Sequence, residues 1–278
     1  MTFHQEEFQA VTSSDSDDSL EASSNRGEAA GTQGTLTAAN QDAAARANMY
    51  RFLSAVYLFP VDEDLLRQLI NHDFLDELST LFGEQAVAEL KAFASHASID
   101  EDLQHLKQEY MDLFAVPTGR YVTPFEDVYR GGVADEEKGK GPLLGERAIA
   151  VTRAYRSAGA AMDRACKELP THVGVELSFM SFLCEREAVA TCRERSDAAT
   201  NGEEKKPTES TRYRELQSRF LREHLTQWFP RLSARIQARS GKPFYRGLAV
   251  VTEEFLSRDA SDLLAQAQEQ SGCGSSQT

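Results

Sequence analysis

The stretch Pro170-Thr171-His172-Val173-Gly174-Val175-Glu176-Leu177-Ser178-Phe179-Met180 decides the fold. At 3.6 residues per turn, Val173, Leu177, Met180 and Cys184 fall on one face of a helix, and Val175, Phe179 and Phe182 on the other. A helix that is apolar on two sides is packed by neighbours all round, so this segment predicts a central helix. Thr171 supplies its N-cap, and the pattern carries to about Arg195. One flank is polar: His172 and Glu176 stand four residues apart near its start. An imidazole and a carboxylate beside an apolar core are costly unless paired or set at a cleft. An ordinary i,i+4 pair worth about 0.2–0.5 kcal/mol and a functional polar edge both fit that spacing.

On the N-terminal side the pattern is also helical. Met49, Phe52, Leu53 and Val56 share a face, and Pro60 ends that helix. Asp62 can cap the next, with Leu65, Leu66 and Leu69 inside. Phe74, Leu75, Leu78 and Leu81 follow, closed by Gly83, and Val87, Leu90 and Phe93 make another stripe. Ser98 with Glu101 three residues on reads as a capping box for a helix carrying Leu103, Leu106, Tyr110, Leu113 and Phe114. Residues 115–142 break the pattern with eight Gly and Pro residues, yet hold Tyr121, Phe125 and Tyr129. Connections this long within a compact domain are functional or disordered. Helix resumes from Leu143 to about Leu169, with Ile149, Tyr155 and Met162 inward.

On the C-terminal side, residues 197–209 read as a surface loop or insertion. A long helix follows from Thr211 to Phe229, broken at Pro230 and continued through Ile236. Phe244, Leu248, Val251, Phe255 and Leu256 form the last stripe. Only residues 119–125 are candidates for a strand. The expected fold is all-α, a single helical bundle of about ten helices with short connections.

Composition narrows the function. Acids outnumber bases 44 to 30, for a net charge of -14. That excludes nucleic acid, which needs clustered Lys and Arg, and favours a basic partner such as a cationic peptide. Residues 1–42 carry eight acids and one Arg and cannot offset their ordering entropy by burial, so they read as a disordered acidic extension. The helical domain is expected over residues 43–268, and 269–278 as a flexible tail. No basic-then-apolar leader stands at the N-terminus, and the apolar stretch 52–59 is too short to span a bilayer, so neither export nor stable membrane insertion is expected. Cys166, Cys184, Cys192 and Cys273 form no C-x-x-C pair, and neither H-E-x-x-H nor a P-loop is present, so no metal and no catalytic residue is expected. Trp228 reads as a core anchor with His224 beside it. Glu126 and Asp127, flanked by Phe125 and Val128, fit either a turn with solvated charges or an acidic rim beside an apolar surface.

Four segments taken together carry a resemblance. They are Tyr110-Met111-Asp112-Leu113-Phe114 with Pro124-Phe125-Glu126-Asp127-Val128-Tyr129; Leu144-Gly145-Glu146 through Tyr155 and Gly159; residues 170–180; and Phe220-Leu221-Arg222-Glu223-His224 with Trp228 and Pro230. In order and spacing, from about Ala45 to about Leu264, they resemble the TorD/DmsD family of redox-enzyme maturation chaperones, with NarJ as a more distant relative. The matching family patterns are a helix-end Leu-Phe before a proline–aromatic–acid–Ser–x–Tyr loop, a glycine-led helix, P-D-H-x-x-x-E-L-x-F-M, and F-x-x-x-H-x-x-x-W-x-P. Two positions depart: Thr171 stands where the signature has Asp, and Asp127 where the loop has Ser.

The resemblance implies a cytoplasmic chaperone, not an enzyme and without a cofactor of its own. It implies binding of the twin-arginine signal peptide and body of a molybdopterin-containing oxidoreductase catalytic subunit, which assists cofactor insertion and delays export. Leu113, Phe114, Pro124 and Phe125 are then expected as apolar contacts, and Gly145 as a point of close backbone approach. Glu126, Thr171, His172 and Glu176 are expected as an acidic and polar edge. The chain is expected to be a monomer or a domain-swapped dimer, which long loops permit. A NarJ-like assembly factor for a client that is not exported is the first alternative, and a metal-dependent enzyme the second.

Overall fold

The structure, a computed structural model, describes residues 8–10, 38–117, 119–130, 145–201 and 208–272. A short strand, β1 (Phe8–Ala10), comes first, and then α1 (Ala38–Leu58), α2 (Glu63–Leu69), α3 (His72–Phe82), α4 (Glu84–Ala94) and α5 (Ile99–Tyr110). α5 runs into a π turn at Met111–Ala115, followed by α6 (Glu126–Arg130), α7 (Glu146–Ser157), a second short strand β2 (Ala160–Met162) and α8 (Val173–Asn201). α9 (Glu209–Phe220) continues through a π turn at Leu221–Leu225 into α10 (Thr226–Arg239), and α11 (Pro243–Gly272) closes the chain. With α9 and α10 taken as one rod, the all-α bundle of about ten helices is the one expected.

α8 is the central helix. Val173, Val175, Leu177, Phe179, Met180, Leu183 and Cys184 are all buried, on both of its apolar faces. Its most extensive pairing is with α1, and α9 packs on it as well. The crossing with α1 is close because residue 174 is glycine. A Cβ there would stand 2.4 Å from Leu58 Cγ and 3.1 Å from the Ser54 carbonyl oxygen. The Ser54 hydroxyl uses that approach to donate to the Gly174 carbonyl at 2.7 Å. Farther along the pair, Arg46 bonds Gln217 at 2.6 Å and also pairs with Asp259 and Glu187, so one part-buried guanidinium joins α1, α8, α9 and α11.

Several local expectations are corrected. α7 ends at Ser157, well short of Leu169, because Gly159 takes φ +71°, a left-handed turn that redirects the chain into β2. Ile149 is exposed rather than inward. α8 continues past Arg195 to Asn201, and α11 runs on to Gly272. Pro230 sits inside α10, in its second turn, without ending it, although it can give no N–H to the Thr226 carbonyl. Asp62 caps α2 as expected, accepting from the Leu65 amide at 2.8 Å, but before α5 it is Asp102, not Glu101, that accepts from the Ser98 amide, at 2.9 Å.

The region read as a disordered extension contributes two described pieces, β1 and the first turn of α1. β1 pairs antiparallel with β2, Phe8 opposite Met162. Phe8 is buried against Tyr155, Phe179 and Phe182, with ring centroids 4.8, 5.5 and 6.3 Å away. Composition averaged over 42 residues hides one aromatic with a socket between α7 and α8. Residues 1–7, 11–37, 118, 131–144, 202–207 and 273–278, with Cys273, lie outside the described residues. Among those described, no helix is long and apolar enough to cross a membrane.

The α1–α8 crossing is testable. Gly174→Ala forces the two helices apart, and urea unfolding should show a loss of about 1–3 kcal/mol, the usual range for overpacking. Adding Leu58→Ala should recover part of it; additive losses would mean that Leu58 is not what the methyl meets.

Candidate functional site

The site grows from a short antiparallel contact between the long connection and the start of α8. Phe125 and His172 form an isolated bridge. The Glu126 amide donates to the Thr171 carbonyl, and the Val173 amide to the Pro124 carbonyl, both at 2.9 Å. The Phe125 ring meets the His172 imidazole edge-on at 5.3 Å. The Tyr155 hydroxyl donates to the Pro170 carbonyl at 2.7 Å, which ties α7 to the same point.

His172, not Thr171, caps α8. Its Nδ1 accepts from the Gly174 amide at 3.1 Å, an arrangement only a neutral ring allows at that nitrogen. Burial pushes its pKa down to about 3. Thr171 bonds elsewhere, and its hydroxyl donates to Asp127 Oδ2 at 2.9 Å. Asp127 also takes hydrogen bonds from the backbone of Gly145 and Ala148 at the start of α7. Burial raises the Asp127 pKa, and those three donors pull it back. The two departures from the family pattern therefore touch each other. A carboxylate and a hydroxyl have exchanged places across one buried contact.

Beneath this lies a second cluster. Glu126 is fully buried; it pairs with Arg130, and its Oε2 lies 2.9 Å from His224 Nδ1. Arg130 also donates to the Glu223 carbonyl, which joins α6 to the second π turn. Glu176 is likewise fully buried and accepts from the Trp228 indole N–H at 3.0 Å. Its other oxygen, Oε1, meets no donor, while the Glu126 carboxyl lies within hydrogen-bonding reach. Two carboxyls in contact need a proton between them. Burial, then the Glu126 charge, hold the Glu176 pKa well above its ordinary 4.5, which favours the neutral form of Glu176 beside Glu126.

These two shifts act on stability in opposite directions of pH. Glu176 contributes stability that is present below its ordinary pKa of 4.5 and is lost as the pH rises through its raised value. The neutral His172 contributes stability present above 6.5 and lost as the pH falls towards about 3.

Of the nine residues expected to bind peptide, Pro124, Phe125, Glu126, Thr171, His172 and Glu176 converge here, and Gly145 joins them through Asp127. Leu113 and Phe114 belong to a neighbouring aromatic core with Tyr57, Tyr110 and Tyr245. The Val122 amide, donating to the Leu113 carbonyl at 2.7 Å, links the two. The expected acidic rim is corrected: Glu126, Asp127 and Glu176 are at most 2% exposed and are spent inside the fold. Only Phe125 and Gly145 reach solvent, each in part. Asp127 was missed as a site residue because its partner Thr171 lies 44 positions away, and Arg130, four residues from Glu126, because nothing local marks Glu126 as buried. Among the described residues no group of His, Cys, Asp and Glu could hold a metal ion.

A family model described as the nitrate reductase delta subunit matches residues 76–234, which include every member of this cluster. The chain is 27% identical over 187 residues to the perchlorate reductase assembly chaperone protein of Dechloromonas aromatica (strain RCB), covering 67% of this chain and 71% of that one. It is 23% identical over 231 residues to the chaperone protein TorD of Shewanella loihica (strain ATCC BAA-1088 / PV-4), covering 82% of this chain and 95% of that one. Against TorD of Shewanella pealeana (strain ATCC 700345 / ANG-SQ1) it is 24% identical over 225 residues, covering 77% and 88%.

The exchanged pair predicts a rescue. Thr171→Asp alone sets a second carboxyl against Asp127 and should cost about 2 kcal/mol or more at neutral pH, as like charges in a buried contact do. Asp127→Ser added to it recreates the family arrangement and should restore most of the loss in thermal and urea unfolding. Equal stability of the single and double variants would break the pairing.

Proposed function

Because the chain belongs to the nitrate reductase delta subunit family, we propose that it is a cytoplasmic assembly chaperone, acting by binding rather than catalysis. Its client is the catalytic subunit of a molybdopterin-containing oxidoreductase, held until the cofactor is in place. The observation that carries this is the family match over residues 76–234, which spans the loop–α8 bridge and the Glu126–Glu176–Trp228 cluster behind it. The relatives named as assembly or TorD chaperones support it across most of their own length.

In this reading the buried cluster does not touch the client. It fixes the backbone that presents Phe125 and Gly145. An apolar edge is available beside the same aromatic core. Met111 and Val116 are exposed at the two ends of one π turn, closed by the Val116 amide on the Met111 carbonyl at 2.8 Å. Phe59 is exposed two residues beyond Tyr57, whose carbonyl accepts from the Tyr110 hydroxyl at 3.1 Å. Such an edge suits the apolar stretch of a twin-arginine leader, which would delay export while bound.

A second reading, a client without an exported leader, is favoured by one observation. The acids that would have met the basic patch of a leader lie inside the fold. Capture of the tagged protein from its own host tests both. Co-purification of a cofactor-free oxidoreductase subunit is the expected result, and a subunit lacking a twin-arginine sequence would select the second reading. Recovery with no oxidoreductase subunit would contradict the proposal. For the leader itself, Phe125→Ala should weaken calorimetric affinity about fivefold, from roughly 1 kcal/mol of lost apolar contact. Unchanged affinity would remove Phe125 from the contact surface.

A further inference from the structure

α9 carries a surface that takes no part in the loop–α8 bridge. A groove of ≈ 660 Å³ runs along it, bounded by α11 and the end of α7. Arg212, Arg214, Arg219 and Arg222 line it, with Leu216 and Leu263 among the apolar walls. In a chain of net charge -14 this is a local reversal of sign. One acid, Glu215, stands among the lining residues.

The four arginines are committed to different degrees. Arg214 is paired with buried Glu187. Arg212 donates to the Ser157 carbonyl at 2.9 Å, with its guanidinium 5.8 Å from the Tyr213 ring centroid, and keeps the rest of its fork. Arg222 lies 3.7 Å from its own neighbour Glu223, a pair more than half exposed. Arg219 has no ion pair among the described residues. Arg212, Arg219 and Arg222 spread over about 15 Å at 1.5 Å per residue. A small inorganic anion engages one such fork. A row of forks beside an apolar floor matches a chain of carboxylates interleaved with apolar side chains, because guanidinium takes carboxylate in a bidentate, planar pair.

We propose that this groove on α9 is a docking site for an acidic, amphipathic segment of a partner protein, its carboxylates meeting Arg212, Arg219 and Arg222 and its apolar side chains resting on half-buried Leu216 and exposed Ala267, with buried Leu263 beneath. The site is opposite in charge preference to a twin-arginine leader and does not rest on the chaperone reading.

The test uses the full chain and a fluorescein-labelled helical peptide of about ten residues, long enough to span about 15 Å, with Glu on one face and Leu on the other. A Lys-for-Glu counterpart serves as the control probe. By fluorescence anisotropy at low ionic strength, the Glu peptide should bind about tenfold or more tightly than the Lys peptide. Arg219→Glu with Arg222→Glu should weaken it about tenfold. Arg51→Glu with Arg67→Glu, the same charge change on α1 and α2, should leave it within about twofold. Circular dichroism should match for all three proteins. Three results would overturn the proposal: wild-type affinity in the Arg219/Arg222 variant, equal loss in the Arg51/Arg67 variant, or displacement of the peptide by millimolar phosphate at constant ionic strength, which would mark a small-anion site.

Discussion

Two carboxyl groups buried side by side, Glu126 and Glu176, set the terms for the centre of this molecule. Removing one charge from water costs several kcal/mol even after relaxation, and two in contact would cost more. The fold meets that cost by dividing the labour. Glu126 is given Arg130 and the His224 ring, while Glu176, its pKa pushed up by burial and by the Glu126 charge, accepts from Trp228. Each partner arrives on a different element: α6, the π turn after α9, α8 and α10. The hydrogen-bonding demand of two acids therefore dictates how four helical segments meet.

A second buried network works in the same way at the other end of α8. Arg46 meets Asp259, Glu187 and Gln217, Gln217 donates to Glu187 at 2.8 Å, and Tyr50 donates to Asp259. Breaking one member of such a network strands its neighbours without water, which is costlier than the net gain from making it. The result is a scaffold with few alternative packings in its middle. What it leaves towards solvent lies outside: Phe125 in part, the Met111–Val116 turn, and the arginines lining the α9 groove. Under the proposed function, holding an unfinished subunit without being remodelled by it would draw on that division between a fixed interior and an exposed apolar edge.

How much of this was legible in the sequence depends on the range of the interaction. α8 was readable because its two apolar faces are written within three turns, and the Asp62 cap because donor and acceptor are three residues apart. The Thr171–Asp127 contact joins positions 44 apart, and Glu126–His224 positions 98 apart; periodicity carries no trace of either. Hence Glu126 and Asp127 read as a solvated rim when they are interior, and Thr171 as a cap when His172 does that work. The π turns at Met111–Ala115 and Leu221–Leu225 have no local signature. Phe8 was lost in an acidic average, and the arginines of α9 have the spacing of any solvated helical face.

Trp228 is the only tryptophan in the chain, so its indole N–H gives a single resonance, and that proton is bonded to Glu176. Following it by ¹⁵N–¹H spectroscopy from about pH 4 upwards reads the protonation of Glu176 directly. A neutral, proton-sharing Glu176 predicts no titration of this signal around the ordinary glutamate value of 4.5, a transition only at clearly higher pH, and its disappearance in Glu176→Gln. A midpoint near 4.5 that vanishes in Glu176→Gln would show an ordinary ionised glutamate, and a core built on one shared proton would be contradicted.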